Sequence, residues 1–157
     1  MSKSETPLRS GYGLSYTNFS LAEKQSEPEA ADVPELQIGA TTTVTLSVKN
    51  LGKREGDEVV MAMFIPHAGT VPAGAPAARL RQQMFAFERV SVAASGEETL
   101  SFSVSPDELA LYSAAGDRMV YPGSYTLRFT NGVDQNVLKT IKVATPTGEP
   151  LVRETLM

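Results

Sequence analysis

Apolar and polar residues alternate along most of the chain from about residue 41 onward, the spacing of a strand with one face on a core and one in water. The segment 43–49 shows the pattern clearly, because Val44, Leu46 and Val48 share one face while threonine and serine occupy the other. The same alternation recurs twice later in the chain. It predicts half-buried antiparallel strands.

Glycine, asparagine and proline separate these segments, and they tolerate the backbone angles that tight turns need. One short helical turn is predicted at Pro106–Leu111, with Ser105 or Asp107 as its cap. The pattern as a whole indicates an all-β domain, a seven-stranded antiparallel sandwich. The strands are predicted near residues 14–20, 41–49, 58–65, 84–93, 98–105, 123–130 and 136–143.

Two stretches are predicted to lie outside the strands. Leu21–Gln37 contains six acidic or basic residues and two prolines, which is typical of a solvated connector rather than of a strand or helix. Pro66–Gln83 is rich in proline, alanine and glycine, and a loop of that length in a compact domain is usually functional or disordered.

One predicted strand departs from the alternation, because Val59–Ile65 is apolar on both faces. A strand in a two-sheet domain needs only one apolar face. The first interpretation is a central strand whose outer face is covered by a loop or by the connector. The second is a face that packs against another domain. The two interpretations are compatible.

Composition and charge narrow the class of protein. The chain has 157 residues, enough for one self-sufficient domain, and 41% hydrophobic content with 20% charged content is too apolar for a disordered chain. A net charge of −4 with interspersed signs favours neither nucleic acid nor an anionic membrane as a partner, and no apolar segment approaches bilayer-spanning length. The absence of cysteine excludes disulfides and thiolate chemistry.

Several segments, in order, resemble the C-terminal domain of family 3 glycoside hydrolases. Gly11–Phe19, which reads GYGLSYTNF, is similar to the lead-in of that domain. Further similar segments are Val48-x-Asn50-x-Gly52, Gly56–Val60, Phe87–Val90 with Gly96-Glu97, and Tyr121–Leu127. The resemblance covers about 130 residues and implies a fibronectin type III-like fold. The long loop is more similar to β-xylosidases and arabinofuranosidases than to typical β-glucosidases.

The resemblance also has departures. Arg9-Ser10 stands where the family usually has an aromatic residue, and Phe85-Ala86-Phe87 replaces a glycine-containing segment. The barrel and the α/β domain, which in the family supply the catalytic nucleophile and in many members the acid/base, have no counterpart in this sequence. The resemblance therefore implies a non-catalytic accessory domain, with those absent domains as partners and polysaccharide as a candidate ligand. No catalytic residue and no cofactor is predicted.

The acidic residues support this view. Retaining glycoside hydrolysis needs two carboxyl groups about 5–5.5 Å apart. The available acids all lie beside turn residues, where carboxylates commonly serve as caps: Asp57, Glu58, Asp107, Glu108, Asp117 and Asp134. His67 is the only histidine, so it forms neither a metal site nor a triad by itself. If the long loop reaches a neighbouring substrate cleft, His67 and Arg79 are the residues expected to contact a sugar.

The remaining candidates are structural or concern docking. Tyr125 begins a late strand after a Pro-Gly bend, the position of a tyrosine corner, and plain core packing is the alternative. Three glycines are predicted to shape turns: Gly52, Gly56 and Gly123. Five residues are candidates for contact with another domain: Tyr12, Tyr16, Phe19, Met61 and Met63.

The predicted organisation is a lead-in at 1–20, an acidic connector at 21–40, the sandwich at 41–145 and a C-terminal tail at 146–157. The leading hypothesis is an accessory domain of a β-xylosidase or β-glucosidase that acts on plant polysaccharide. The alternative is a free-standing module that binds carbohydrate or protein. The opening Met1–Thr6 lacks an apolar segment, so the sequence predicts no location; family members are usually secreted, periplasmic or vacuolar.

Overall fold

The computed structural model describes residues 16–24 and 33–153. In these ranges the regular structure consists of strands and two short 3₁₀ helices, at Pro76–Arg79 and Pro106–Leu109. The strands are β1 (Phe19–Glu23), β2 (Glu35–Gln37), β3 (Thr42–Asn50), β4 (Gly56–Pro66), β5 (Gln83–Val92), β6 (Glu97–Val104), β7 (Leu111–Tyr112), β8 (Arg118–Val120), β9 (Gly123–Thr130), β10 (Asn136–Ala144) and β11 (Leu151–Arg153).

The strands form three sheets. The first has the order β1-β3-β6, the second β2-β10-β9-β4-β5 and the third, a small one, β11-β8-β7. The all-β class is therefore confirmed, and six of the seven predicted strands lie where they were predicted. The strand predicted at 14–20 is displaced toward the C-terminus, because β1 begins only at Phe19, while residues 14–15 lie outside the described part of the chain. The predicted strand number is wrong, because the described residues contain eleven strands in three sheets. The arrangement is also not wholly antiparallel, since β2 pairs with β10 in parallel.

The four unpredicted strands, β2, β7, β8 and β11, have only two or three residues each. A segment that short cannot show an alternation of period two, so its pairing depends on neighbours that the local sequence does not specify.

The connector prediction is wrong at both ends of Leu21–Gln37. Its first residues belong to β1, which extends to Glu23, and its last three form β2. Residues 25–32, in the middle of the connector, lie outside the described part of the chain. The segment predicted as a tail likewise contains β11, at Leu151–Arg153.

The core lies between the two larger sheets, where the alternating apolar residues meet. Leu46 on β3, Phe102 on β6 and Phe129 on β9 are all buried, and the rings of Phe102 and Phe129 lie 5.3 Å apart between centroids. Burial of each such side chain contributes about 1.5–3 kcal/mol. This shared apolar layer holds the first two sheets together.

Strand β4 is a central strand, as the first interpretation predicted, because it pairs with β5 on one side and β9 on the other. Val60, Ala62 and Phe64 point into the core and are fully buried. The residues that alternate with them lie on the outer face of the sheet and are partly exposed: Val59, Met61, Met63 and Ile65. Its outer face is therefore only partly covered by the residues that the structure describes.

The second 3₁₀ helix occupies the predicted helical turn. Its preceding residue, Ser105, donates its backbone N–H to Oε2 of Glu108 at 2.5 Å, the reciprocal half of a capping box. Ser105 rather than Asp107 is thus the capping residue. The side chain of Asp107 bonds Arg153 of β11 instead, at 2.5 and 2.8 Å.

Candidate domain-docking surface

The outer face of the five-stranded sheet carries a group of apolar side chains on its β4–β5 side. Met61 lies opposite Phe87 and Met63 opposite Met84 in the strand register. Phe87 is 64% exposed and Met84 49% exposed, values unusual for large apolar side chains in the middle of a strand. We call Val59, Met61, Met63, Met84 and Phe87 the outer apolar face.

A β-bulge brings Phe87 and Met84 onto this face although they are three residues apart. The register between β4 and β5 shifts at Ala62/Met63, which inserts an extra residue into β5. Phe85 consequently points inward, where its ring lies 6.4 Å from that of Phe64. Phe87 and Met84 were not among the predicted docking residues, and strict alternation of strand residues does not place both on one face.

The charged groups beside this face have partners within the domain. Arg89 of β5 pairs with the carboxylate of Asp57 on β4, and its hydrogen bond holds the pKa of Asp57 below the ordinary value of 3.8. Arg128 of β9 donates to Asn136 at 2.8 Å and to Gln82 at 3.1 Å. Arg89 and Arg128, which border the apolar surface, therefore already bond to other residues of the same domain.

The loop 66–83 is anchored to β9 along its first half. The backbone N–H of His67 and the hydroxyl of Thr70 both bond the carbonyl oxygen of Ser124, at 2.9 and 3.1 Å, and Val71 is buried. His67 Nε2 lies 2.8 Å from the hydroxyl oxygen of Thr126. Both His67 and Arg79 are exposed, with Arg79 at the end of the first 3₁₀ helix. They share the loop, but the bonds of His67 run to β9.

The candidate acids form structural contacts. Asp57 pairs with Arg89 and Asp107 with Arg153, Glu108 belongs to the capping box, and Asp117 accepts from Ser113 at 3.3 Å. Asp134 and Glu58 accept from the amide of Asn131, at 3.3 and 3.4 Å. Across residues 16–24 and 33–153, no group of three acidic or histidine side chains is placed to hold a metal ion. No helix in those same ranges is long and apolar enough to cross a membrane.

Gly123 lies where β9 meets the anchored loop. Its φ of +143° is one that other residues rarely adopt, and a Cβ atom there would lie 2.7 Å from Oγ1 of Thr70. Two steps later in the chain, the hydroxyl of Tyr125 donates to the carbonyl oxygen of Tyr121. This bond gives Tyr125 the geometry predicted for a tyrosine corner.

Asn50, Gly52 and Gly56 enclose the side chain of Thr17, and we call this arrangement the Thr17 notch. The hydroxyl of Thr17 donates to Oδ1 of Asn50, and both side chains are buried. A Cβ atom on Gly52 would lie 2.1 Å from Oγ1 of Thr17, and one on Gly56 would lie 2.8 Å from its Cγ2. Both glycines were predicted as structural residues, but no local pattern indicates that they accommodate Thr17, which lies more than thirty residues earlier in the chain.

The docking candidates of the lead-in differ in exposure. Tyr16 is 89% exposed, whereas Phe19 is only 9% exposed and packs in the domain's own core. Phe19 is therefore not available to a neighbouring domain, and we remove it from the docking set. Tyr12 lies outside the described residues.

Comparison with known sequences identifies a family model and relatives. A model described as "Fibronectin type III-like domain" matches residues 70–132. A β-xylosidase of Formosa agariphila is 31% identical over 140 residues, which are 88% of this chain and 18% of the relative. A probable β-glucosidase G of Aspergillus flavus is 30% identical over 132 residues, covering 75% of this chain and 16% of the relative.

Solved structures agree on the fold. A β-glucosidase of Kluyveromyces marxianus in complex with glucose superposes with a TM-score of 0.70 at 23% identity, over 93% of this chain and 16% of that one. A β-glucosidase of Listeria innocua in complex with gluconolactone gives 0.68 at 22% identity, over 85% of this chain and 17% of that one. The chain thus spans less than a fifth of the length of these relatives.

Proposed function

We propose that this chain, which resembles the fibronectin type III-like domain of family 3 glycoside hydrolases, is a non-catalytic accessory domain of such an enzyme. In this role it packs against the barrel and α/β domains and stabilises them. The enzyme is a β-xylosidase or β-glucosidase, the activities that the relatives' names give. Hydrolysis of the sugar bond then belongs to the other domains.

The outer apolar face is the observation that carries the proposal. It places three methionines, a valine and a phenylalanine side by side on the solvent side of a sheet, where an isolated domain normally has polar residues. Exposure of such a patch to water is unfavourable, and its burial against another apolar surface is stabilising. The relatives' chains are more than five times longer than the matched segment, so the domain there has polypeptide available to cover it.

The partnered acids support the non-catalytic half of the proposal. A catalytic carboxylate needs access to the sugar, and an acid/base needs a pKa near neutrality. Asp57 and Asp107 are instead bound to arginines. The arginine beside Asp57 lowers the pKa of that carboxyl, the direction opposite to the one an acid catalyst requires.

We further propose that the loop 66–83 extends toward the substrate cleft of the complete enzyme. Its bonds to β9 give it a defined start, and they leave His67 and Arg79 on the surface. An exposed imidazole and guanidinium can donate hydrogen bonds to sugar hydroxyl groups. Substitution of Arg79 by alanine is expected to raise the KM of the complete enzyme for an oligosaccharide without changing kcat.

The docking role is tested on the chain itself by hydrophobic-dye binding and light scattering. We expect the wild-type chain to bind dye and to self-associate at high concentration. The double variant Met61→Lys/Phe87→Glu should lose most of both effects. The matched control is Val152→Lys, because Val152 is 56% exposed on β11 but lies outside the outer apolar face. A dye-silent monomeric wild-type chain contradicts the docking role, as does an equal loss of dye in the control.

A second experiment tests the partner. A family 3 β-xylosidase lacking its own fibronectin type III-like domain is co-expressed with this chain, and soluble activity on an aryl xyloside is measured. The chain is expected to raise the activity and the double variant is expected not to. Calorimetry of the chain alone against xylan and cello-oligosaccharides tests the alternative, direct binding of carbohydrate. Binding there, without complementation, indicates a free-standing carbohydrate-binding module and overturns the accessory role.

A further inference from the structure

We propose that the Thr17 notch fixes the orientation of the backbone at Tyr16, Thr17 and Asn18, immediately before β1, relative to the sandwich. The inference rests on the proposed function, because a fixed orientation matters where the preceding polypeptide leads to another domain. The notch itself consists of residues of this chain and is testable without any partner.

The notch is needed because strand pairing ends there. Phe19 of β1 lies opposite Asn50, the last residue of β3, so the ladder between β1 and β3 ends at this pair. One backbone bond continues the contact, from the N–H of Leu51 to the carbonyl oxygen of Asn18 at 2.7 Å. Beyond it, the side-chain bond between Thr17 and Asn50 takes the place of the strand ladder.

Asn50 connects the lead-in to two other parts of the chain. Its Oδ1 also accepts the N–H of Gly52 at 3.0 Å, and its Nδ2 donates to the carbonyl oxygens of Arg54 at 2.7 Å and Val92 at 3.0 Å. The fully buried amide therefore makes all four of its hydrogen bonds, two accepted by Oδ1 and two donated by Nδ2. A satisfied buried network of this kind specifies one arrangement of the groups that it joins.

The two glycines make the fit selective. Both would-be Cβ atoms fall closer than 3.0 Å to Thr17, so any side chain at either position collides with it. Phe19 packs on the same surface, since its Cζ would lie 3.2 Å from a Cβ on Gly56. With Thr17 and Phe19 buried, Tyr16 points outward and is almost fully exposed. The backbone orientation at this exit point is thereby determined.

Amide hydrogen exchange tests whether the notch acts locally. In Thr17→Val, which keeps the shape but removes the hydroxyl, we expect exchange at the amides of Leu51 and Gly52 to accelerate about tenfold. Exchange at Ile141 on β10 should remain unchanged. Thr17→Ser retains the hydroxyl and serves as the matched control, with exchange near the wild-type rate. A uniform acceleration at all three amides, or equal rates in the two variants, overturns the proposal.

A distance measurement tests the orientation. The chain has no cysteine, so spin labels can be attached only where cysteines are introduced. Labels at Tyr16→Cys, where the native side chain is exposed, and at Thr140→Cys should give a narrow distance distribution in the wild-type background and with Thr17→Ser, and a broad one with Thr17→Val. A broad distribution in the wild type overturns the inference. Neither measurement involves a partner, so its failure is distinct from failure of the dye and co-expression tests.

Discussion

The hydroxyl group of Tyr125 lies 2.7 Å from the backbone carbonyl oxygen of Tyr121 and donates a hydrogen bond to it. The bond closes the bend that contains Pro122 and Gly123, at the point where β9 begins. Tyr125 is fully buried, and its ring meets that of Phe64 edge-on, with centroids 6.0 Å apart. The bend is therefore tied to the centre of the core through one side chain.

Tyr125→Phe is expected to lower the free energy of unfolding by about 1–3 kcal/mol, because it removes the hydrogen bond and keeps the ring. Chemical denaturation monitored by circular dichroism measures the change. Tyr112→Phe is the control, since Tyr112 is exposed on β7 and should unfold like the wild type. An unchanged midpoint for Tyr125→Phe would mean that ring packing alone accounts for this residue.

Burial, with a smaller contribution from Tyr121, raises the pKa of Tyr125 above its ordinary value of 10.0. A raised folded-state pKa gives a contribution to stability that is fully present below pH 10.0 and declines as the pH rises further, because only the unfolded chain then releases the proton. We expect the unfolding free energy of the wild type to fall more steeply above that pH than that of Tyr125→Phe. Parallel pH profiles for the two proteins would refute this.

Gly52→Ala is expected to destabilise the domain by about 1–3 kcal/mol, because the new methyl group collides with the hydroxyl of Thr17. Gly74→Ala is the matched control. Gly74 has no atom within 4 Å of a would-be Cβ, and its φ is not in the positive range. Thermal unfolding should place the control at or slightly above the wild-type midpoint. Equal midpoints for the two variants would contradict the close approach at Gly52.

The ion pair between Asp57 and Arg89 is expected to make a small contribution to the stability of the domain that is lost at acid pH. Because the pKa of Asp57 is lowered, the contribution of this group is present above pH 3.8 and is lost as the pH falls below that value. In Arg89→Gln the pKa of Asp57 should return toward 3.8, as followed by the carboxyl carbon shift in an NMR titration. The melting temperature at neutral pH should change little, since the pair is exposed. An unaltered Asp57 titration would show that Arg89 is not the cause.

Asp107 joins β11 to the second 3₁₀ helix, because its carboxylate accepts two hydrogen bonds from Arg153. Its backbone carbonyl oxygen also accepts a hydrogen bond from the guanidinium group of Arg118 on β8. Asp107→Ala should release β11, because its other attachment is a short pairing with β8. We expect faster tryptic cleavage after Arg153 and a loss of about 0.5–1 kcal/mol in global stability. Asp134→Ala, which removes an acid from an exposed turn, should be cleaved at the wild-type rate. Wild-type cleavage of Asp107→Ala would mean that strand pairing alone holds β11.

The long strands were predictable because their evidence is local. Val44, Leu46 and Val48 alternate in sequence and are buried in the structure, and the bend at 121–123 lies where the sequence has its Pro-Gly pair. The apolar character of both faces of Val59–Ile65 also indicated a central strand. In each case one segment carries enough residues to repeat its own pattern.

The rest depends on residues far apart in sequence. The bulge at Ala62/Met63 turns Phe87 and Met84 to the same side, and no pattern within β5 indicates it. Strand β2 forms only because β10, a hundred residues later, offers a parallel edge to it. The same holds for β11, which the sequence alone indicated as a tail.

The sequence by itself thus determined the class of fold, the seven main strands and, through ordered motifs, the family. It did so because alternation and turn chemistry are properties of contiguous residues, which the chain displays before it folds. Tertiary structure alone decided which apolar residues remain outside and what two turn glycines accommodate. Exposure of Phe87 and the collision distances between Gly52 and Thr17 arise only once separate strands are brought into register, because each depends on atoms that another segment supplies.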